Sequence, residues 1–197
     1  MRKIAVTNHL TLDGVMQGPA TVDEDRRGGF EHGGWAAAGN DPVMAEVMGK
    51  GMAGGGELLV GRVTYENLYA FWPKQTDGNP FTEVLNKRRK YVVSRTLSEP
   101  LPWVNSTLLA GDAAESVAAL KASPGEDLGI LGSGELVRTL VRHGLVDTYQ
   151  LMIHPLLLGT GRRMFPDDDG VFTRLRLTDS VTTTTGVIIA TYVPAEG

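Results

Sequence analysis

The 197-residue sequence is 42% hydrophobic and 21% charged, the balance of one folded domain, which excludes disordered and fibrous classes. It holds no cysteine, so disulfides, thiolate nucleophiles and thiolate metal sites are excluded, a Cys-x-x-Cys zinc deaminase among them, and the composition agrees with a reducing cytoplasm. Lys+Arg 19 against Asp+Glu 23 give a formal charge of −4 with no basic run, which argues against nucleic-acid or anionic-membrane partners.

The opening Met1 to Val6 starts like a signal segment, but Asn8, His9, Thr11 and Asp13 interrupt it, and no apolar run approaches the ~20 residues of a membrane span. Lys3 to Thr7 reads as a short apolar strand. A long glycine-rich, charged segment without period follows from Asp13 to Asn40. Asp41-Pro42 reads as an N-cap and first helical position, and Val43, Met44, Val47, Met48 and Met52 form the apolar stripe of a helix ending near Gly54 to Gly56.

Glu57 to Gly61 is a predicted strand, Val63 to Phe71 a helix, Trp72 to Asn79 a polar loop and Phe81 to Arg89 a helix. Tyr91 to Val93 and Val104 to Leu109 read as strands, Ala113 to Ala122 as a helix, and Leu128 to Leu131 as a strand entering Gly132-Ser133-Gly134. Leu136, Val137, Leu140 and Val141 then recur at helical spacing until Gly144, a C′ glycine, and Val146 to His154 is again a strand. Val171 to Thr183 and Val187 to Val193 are β-rich, with a turn at Thr185-Gly186, and should pair as an antiparallel hairpin. Alternating strands and helices ahead of that hairpin predict a single α/β domain over residues 1–197, with a mostly parallel sheet.

Ligands of such sheets bind beyond the carboxyl ends of the strands. Gly61 there lets backbone approach a phosphate, with Arg62 and Thr64 as donors; the same residues also make a tight turn with a capping threonine and a solvated arginine. Ser94-Arg95-Thr96 can grip a phosphate monoester through charge-assisted bonds, or Arg95 can join a surface ion pair. Gly132-Ser133-Gly134-Glu135 suits a pyrophosphate, although Val137 fills the third glycine position of a dinucleotide fingerprint. Together the three ends offer a pyrophosphate, a backbone-held phosphate and an isolated phosphate, the count of NADPH.

Asp13 leaves the first strand as a carboxylate able to bind an amino-heterocycle or organise a proton donor, or simply as an Asp-Gly turn. Trp35 sits in a loop that could close over a planar ring, or serve as an Ω-loop or subunit contact. His9, His32, His143 and His154 show no metal-ligand spacing, and Asp167-Asp168-Asp169-Gly170 reads as a solvated turn.

Thr11-Leu12-Asp13-Gly14, Gly61-Arg62-Val63-Thr64-Tyr65-Glu66, Val92-Val93-Ser94-Arg95-Thr96, Gly132-Ser133-Gly134-Glu135-Leu136 and Pro155-Leu156-Leu157-Leu158-Gly159-Thr160-Gly161 occur in an order that resembles the dihydrofolate reductase-like superfamily. The most similar branch is the C-terminal reductase domain of the bifunctional riboflavin-biosynthesis deaminase-reductase, over about residues 2 to 193. The resemblance implies a three-layer α/β/α fold with a central eight-stranded mixed sheet, NADPH, hydride transfer to a small heterocyclic substrate, and a homodimer.

It also implies that Gly61, Arg62 and Thr64 meet a cofactor phosphate or ribose, that Ser94, Arg95 and Thr96 meet the 2′-phosphate, and that Gly132, Ser133, Gly134 and Glu135 border the pyrophosphate. Asp13 would lie beside nicotinamide and substrate. Trp35, from the loop that could close over the ring, and Tyr65 are the expected substrate contacts. Thr7 stands where the riboflavin reductases typically carry lysine. A nucleotide-binding protein without turnover, and a reductase using a flavin or deazaflavin, remain open alternatives.

Overall fold

Side-chain alternation sets the central strand. In β1 (Ile4–Thr11), Ile4, Val6, Asn8 and Leu10 are buried on one face, while Thr7 and His9 stand half-buried on the other. The strand runs four residues beyond the expected end at Thr7 because its polar residues find partners inside: the Asn8 amide donates to the sulfurs of Met16 and Met164 at 3.8 and 3.7 Å. The computed structural model describes every residue except 77, 167–169, 171 and 196–197. The predicted turn at Asp167 to Asp169, and the first residue of the β-rich run at 171, therefore lie outside the described residues.

β1 pairs in parallel with β5 (Leu128–Leu131) on one side and β6 (Thr148–His154) on the other. Beyond β5 come β2 (Glu57–Gly61), β3 (Lys90–Val93) and β4 (Ser106–Leu109), all parallel. Beyond β6 come β8 (Ile188–Pro194), antiparallel to β6, and β7 (Leu175–Thr182), antiparallel to β8. The order β4-β3-β2-β5-β1-β6-β8-β7 is the mostly parallel sheet with a C-terminal hairpin that the sequence pattern predicts, with the eight strands that the resemblance implies. β4 begins at Ser106 rather than Val104, since Asn105 takes φ +60° and interrupts the extended run.

Helices cover both faces. α4 (Ala113–Ala122) contributes Val117, and α5 (Gly134–Arg142) contributes Leu136, Val137, Leu140 and Val141, to a core with Ile4, Val6, Leu59, Leu128, Ile130 and Tyr149. Each fully buried side chain of that stripe contributes roughly 1.5–3 kcal/mol, so packing, not propensity, holds α5 to the sheet. Past α5, Gly144 at φ +63° donates to Val141 O at 3.0 Å and ends the helix as its sequence position predicts. On the opposite face, α1 (Pro42–Ala53) sets Met44 against Met152, Val187 and Ile189. There α2 (Arg62–Phe71) and α3 (Pro80–Lys87) set Tyr65 and Leu85 against Leu58, Val60, Val92 and Trp103. Among the described residues no helix is long and apolar enough to cross a membrane.

The segment between β1 and α1 lacks periodicity yet is packed. Gln17, 3% exposed, donates to Asp25 O at 3.2 Å and Arg27 O at 2.8 Å and accepts from Arg162 N at 2.9 Å. Buried Phe30 and a bridge between Val15 and Arg163 tie the segment to the stretch after β6.

Candidate active-site cleft

Because β2, β3 and β5 run parallel, their carboxyl ends share one rim, and each chain leaves it through a turn or a helix start. A cleft of about 1190 Å³ opens along that rim. Gly61, Arg62 and Thr64 enter it from the β2–α2 junction, Ser94, Arg95 and Thr96 from the end of β3, and Gly132, Ser133, Gly134 and Glu135 from the β5–α5 junction. Thr7, His9 and Met152 form its floor, with Met48, Met52 and Trp72 to one side. Met16 to Ala20, Arg27, Arg162 and Arg163 line it as well.

Hydrogen bonding sorts these residues into framework and free donors. Ser133, at φ +57°, donates its N–H to Thr64 Oγ1 at 3.1 Å, and its hydroxyl accepts from Gly61 N and donates to Leu131 O, both at 3.1 Å. Ser133 and Thr64 thus stitch two strand exits together, with the Ser133 hydroxyl engaged both as donor and as acceptor. Ser94 Oγ accepts from Thr96 N and Leu97 N, each at 3.1 Å, which turns the chain after β3. Arg62 pairs with Glu66 at 2.9 Å and Glu135 with Arg162 at 3.3 Å.

What stays open is informative. Asp41, Asn79 and Asp112 cap α1, α3 and α4 through their side chains, whereas α2 and α5 start without a side-chain cap. Their first-turn N–H groups face the cleft with the positive ends of their dipoles. Arg95 is exposed and makes no hydrogen bond or ion pair among the described residues. At Gly134 a Cβ would overlap Met16 Sδ, so glycine lets the segment after β1 approach α5.

Asp13, Trp35 and Tyr65 do not line this cleft. Tyr65 lies on the sheet-facing side of α2, 2% exposed, with its hydroxyl accepting from Trp103 N at 2.9 Å. Its ring packs with Leu58, Val60, Leu85 and Trp103, so the expected substrate contact is a packing residue. Trp35 donates from Nε1 to Gln17 O at 2.7 Å and meets His154 edge-on at 5.2 Å, so the segment reaches the cleft through Met16 to Ala20 rather than through Trp35. Asp13 accepts from Thr11 Oγ1, Leu158 N and Gly159 N, the last two at 3.2 and 2.8 Å. Those bonds, the one from Thr11 foremost, hold its carboxyl down at about 2, so it anchors a loop and is no proton donor near neutral pH.

His9, Gln17, Arg162 and Arg163 are cleft or cleft-supporting residues that the motifs do not single out. His9 Nδ1 faces His154 Nε2 at 2.9 Å. Burial first, and the neighbouring ring second, push His9 down to about 4, and burial lowers His154 as well. Arg163 donates from Nε to Asp13 O at 2.9 Å, which fixes the start of its side chain beside the cleft.

The profile of the RibD C-terminal domain family matches residues 2–189. Uncharacterized protein YyaP of Bacillus subtilis (strain 168) is 31% identical over 141 residues, 68% of this chain and 72% of that protein. Among solved structures, a putative riboflavin biosynthesis protein from Shewanella sp. PV-4 matches with a TM-score of 0.68 at 17% identity, over 98% of this chain and 99% of that one. A pyrimidine reductase-like protein from Corynebacterium diphtheriae NCTC gives 0.63 at 14% identity, over 100% of this chain and 93% of that one. RibD of Acinetobacter baumannii gives 0.60 at 15% identity, over 99% of this chain but 58% of that one, so this chain spans little more than half of it. At these identities the solved structures show a shared fold.

Proposed function

This chain belongs to the RibD C-terminal domain family, and on that footing we propose that it is an NADPH-dependent reductase delivering a hydride to a C=N or C=O bond of a small pyrimidine- or pteridine-like heterocycle. The family implies a pyrimidine-reductase-like oxidoreductase; the cofactor, the bond reduced and the residue roles are our reading. One observation carries it: three strand ends able to bind anions converge on a single cleft, and the two helices starting there lack side-chain caps.

The donor set fits the cofactor. First-turn N–H groups of α2 and α5 suit the pyrophosphate, with Gly61, Gly132 and Gly134 letting backbone come close. Arg95, which makes no ion pair among the described residues, suits with Thr96 an isolated phosphate monoester, while Ser94 holds the turn that presents them. Ser133 and Thr64 keep the two helix starts in register, and Arg62 and Glu135 flank them as members of ion pairs. Bound NADPH would supply the hydride itself. The chain orients the rings: Met48, Met52, Met152 and Trp72 give a planar heterocycle an apolar seat that excludes water.

Asp13 belongs to this reading as a positioning residue, holding Leu158 and Gly159 so that Arg162 and Arg163 line the cleft. A cytoplasmic setting and a homodimer are part of the same proposal, the dimer to be read by light scattering.

Thermal unfolding with NADPH, NADH, FMN and a deazaflavin tests the cofactor. A ligand at about 100 times its dissociation constant adds about 2.7 kcal/mol to stability, so NADPH should shift the transition most. NADPH oxidation with a panel of pyrimidines and pteridines then separates turnover from binding alone. A larger shift with FMN or a deazaflavin, or none with any cofactor, overturns the assignment.

A further inference from the structure

The His9–His154 pair is a feature of the cleft floor that cofactor binding does not use. The rings lie 5.1 Å apart, tilted by 42°, with Nδ1 of His9 and Nε2 of His154 at 2.9 Å. His154 is 1% exposed and boxed in: Trp35 meets it edge-on, and a Cβ at Gly39 would come within 2.6 Å of its Nδ1 and Cε1. His9 instead lines the cleft beside Thr7, Met48 and Met152, and among the described residues its Nε2 has no hydrogen-bond partner.

Neighbouring charges are engaged elsewhere. At the start of α1, the Asp41 carboxylate accepts from Met44 N and from Thr184, and at the exit of β1 the Asp13 carboxylate accepts from Leu158 N and Gly159 N. Among the described residues no carboxylate pairs with either ring, and burial favours the neutral form of both.

A neutral pair joined in this way shares one proton between its facing nitrogens and has two arrangements. With that proton on His154, His9 accepts at Nδ1 and offers the cleft an Nε2–H donor. With it on His9 Nδ1, the Nε2 lone pair offers an acceptor. We propose that this pair reads the polar edge of the heterocycle, His9 touching the ring through Nε2 and His154 acting as the positioning residue that sets its tautomer. The proposal rests on the cleft being the heterocycle site. It gives that site tolerance for carbonyl-edged and amino-edged rings alike: both rings stay neutral in each arrangement, His154 carrying its proton on Nδ1 whenever His9 carries one on Nδ1, so the outer nitrogens exchange protons with solvent as the inner proton changes side and the bound edge selects one arrangement.

The test uses the full chain saturated with NADPH and two probes, 1,3-dimethyluracil, whose edge only accepts, and 2,4-diaminopyrimidine, whose amino groups donate. NMR of isotope-labelled histidine nitrogens reads the tautomer while calorimetry reads binding. The first probe should move His9 Nε2 toward the protonated signature and the second toward the unprotonated one. His9→Phe should weaken both by about 3- to 10-fold and His9→Gln by less, with NADPH affinity unchanged in each. Probes that bind without moving the His9 signals, and bind His9→Phe as they bind the parent, overturn the inference and leave the heterocycle site standing. Probes that bind neither protein overturn both. Should His9→Phe fail to fold, the spectra of the parent protein decide alone.

Discussion

Thr64 Oγ1 accepts the backbone N–H of Ser133 at 3.1 Å, and through that bond the start of α2 is fixed to the start of α5. Ser133 is 8% exposed and in the left-handed region, so little water can replace the lost partner. Thr64→Val keeps the shape and removes the acceptor. It should cost roughly 1–3 kcal/mol of stability and weaken NADPH and NADH together, since both share the pyrophosphate. Chemical denaturation and calorimetric titration check this, and selective loss of one cofactor would contradict it.

Tyr65 gives the contrasting case of a motif residue that serves the core. Its hydroxyl accepts from buried Trp103 N, and its ring stacks on Tyr69 at 6.2 Å with a 6° interplanar angle. Tyr65→Phe should destabilise by roughly 1–3 kcal/mol, leaving Michaelis constants for cofactor and substrate within twofold once the protein is folded. A large rise in the substrate constant at unchanged stability would return Tyr65 to the site.

The contrast between these two residues shows where the sequence is legible. Apolar periodicity alone locates α4 and β5 to the residue, because their positions follow from burial on one face or inside the sheet. It stops β1 too early, since Asn8 and His9 are polar residues inside a central strand, and the partners that make them tolerable are Met164 and His154. Sequence shows Asp13 at a strand exit but not Leu158 and Gly159, which bind it from 145 and 146 positions away. Motif order brought the rim residues into view together, whereas which of them keep free donors depends on hydrogen bonds visible only in three dimensions.

Asp13→Asn separates an anchoring carboxylate from a proton donor. Asparagine can accept through one oxygen only, so at least one of the two backbone N–H groups loses its partner. The melting temperature should fall by about 2–6 °C, and activity should drop through misplacement of Arg162 and Arg163. The folded carboxyl at about 2 lies below its ordinary 3.8, so its stabilisation is complete above that value and is lost only as pH falls toward 2. No activity transition between pH 5 and 9 should therefore disappear in the mutant, and one that did would restore a proton-transfer role.

His9 predicts pH dependence at milder acidity. Its folded value of about 4 lies below the ordinary 6.5, so between those limits the unfolded chain takes a proton that the folded ring refuses. Stability is then full above pH 6.5 and declines as pH falls toward 4, by an amount on the order of 3 kcal/mol. Urea unfolding at pH 7 and pH 4.5 measures the slope, and His9→Gln should flatten it. A parent protein equally stable at both values would mean that the ring titrates freely.

Arg95 offers the sharpest test of the cofactor, because the 2′-phosphate is the only chemical difference between NADPH and NADH. The guanidinium is exposed at the end of β3 and makes no competing ion pair among the described residues, so removing it disturbs no internal bond. Charge-assisted hydrogen bonds contribute roughly 1.5–3 kcal/mol each, about 10- to 150-fold in affinity. Arg95→Ala should weaken NADPH by about that factor and leave NADH nearly unchanged. Arg62 is the internal comparison: it already pairs with Glu66 at 2.9 Å beside the α2 start, so Arg62→Ala should weaken both cofactors modestly and to the same extent. Titrating the two variants with the two cofactors forms a square in which general damage appears as equal losses along every side. Equal loss of NADPH and NADH in Arg95→Ala would place the 2′-phosphate elsewhere and remove the physical basis for preferring NADPH.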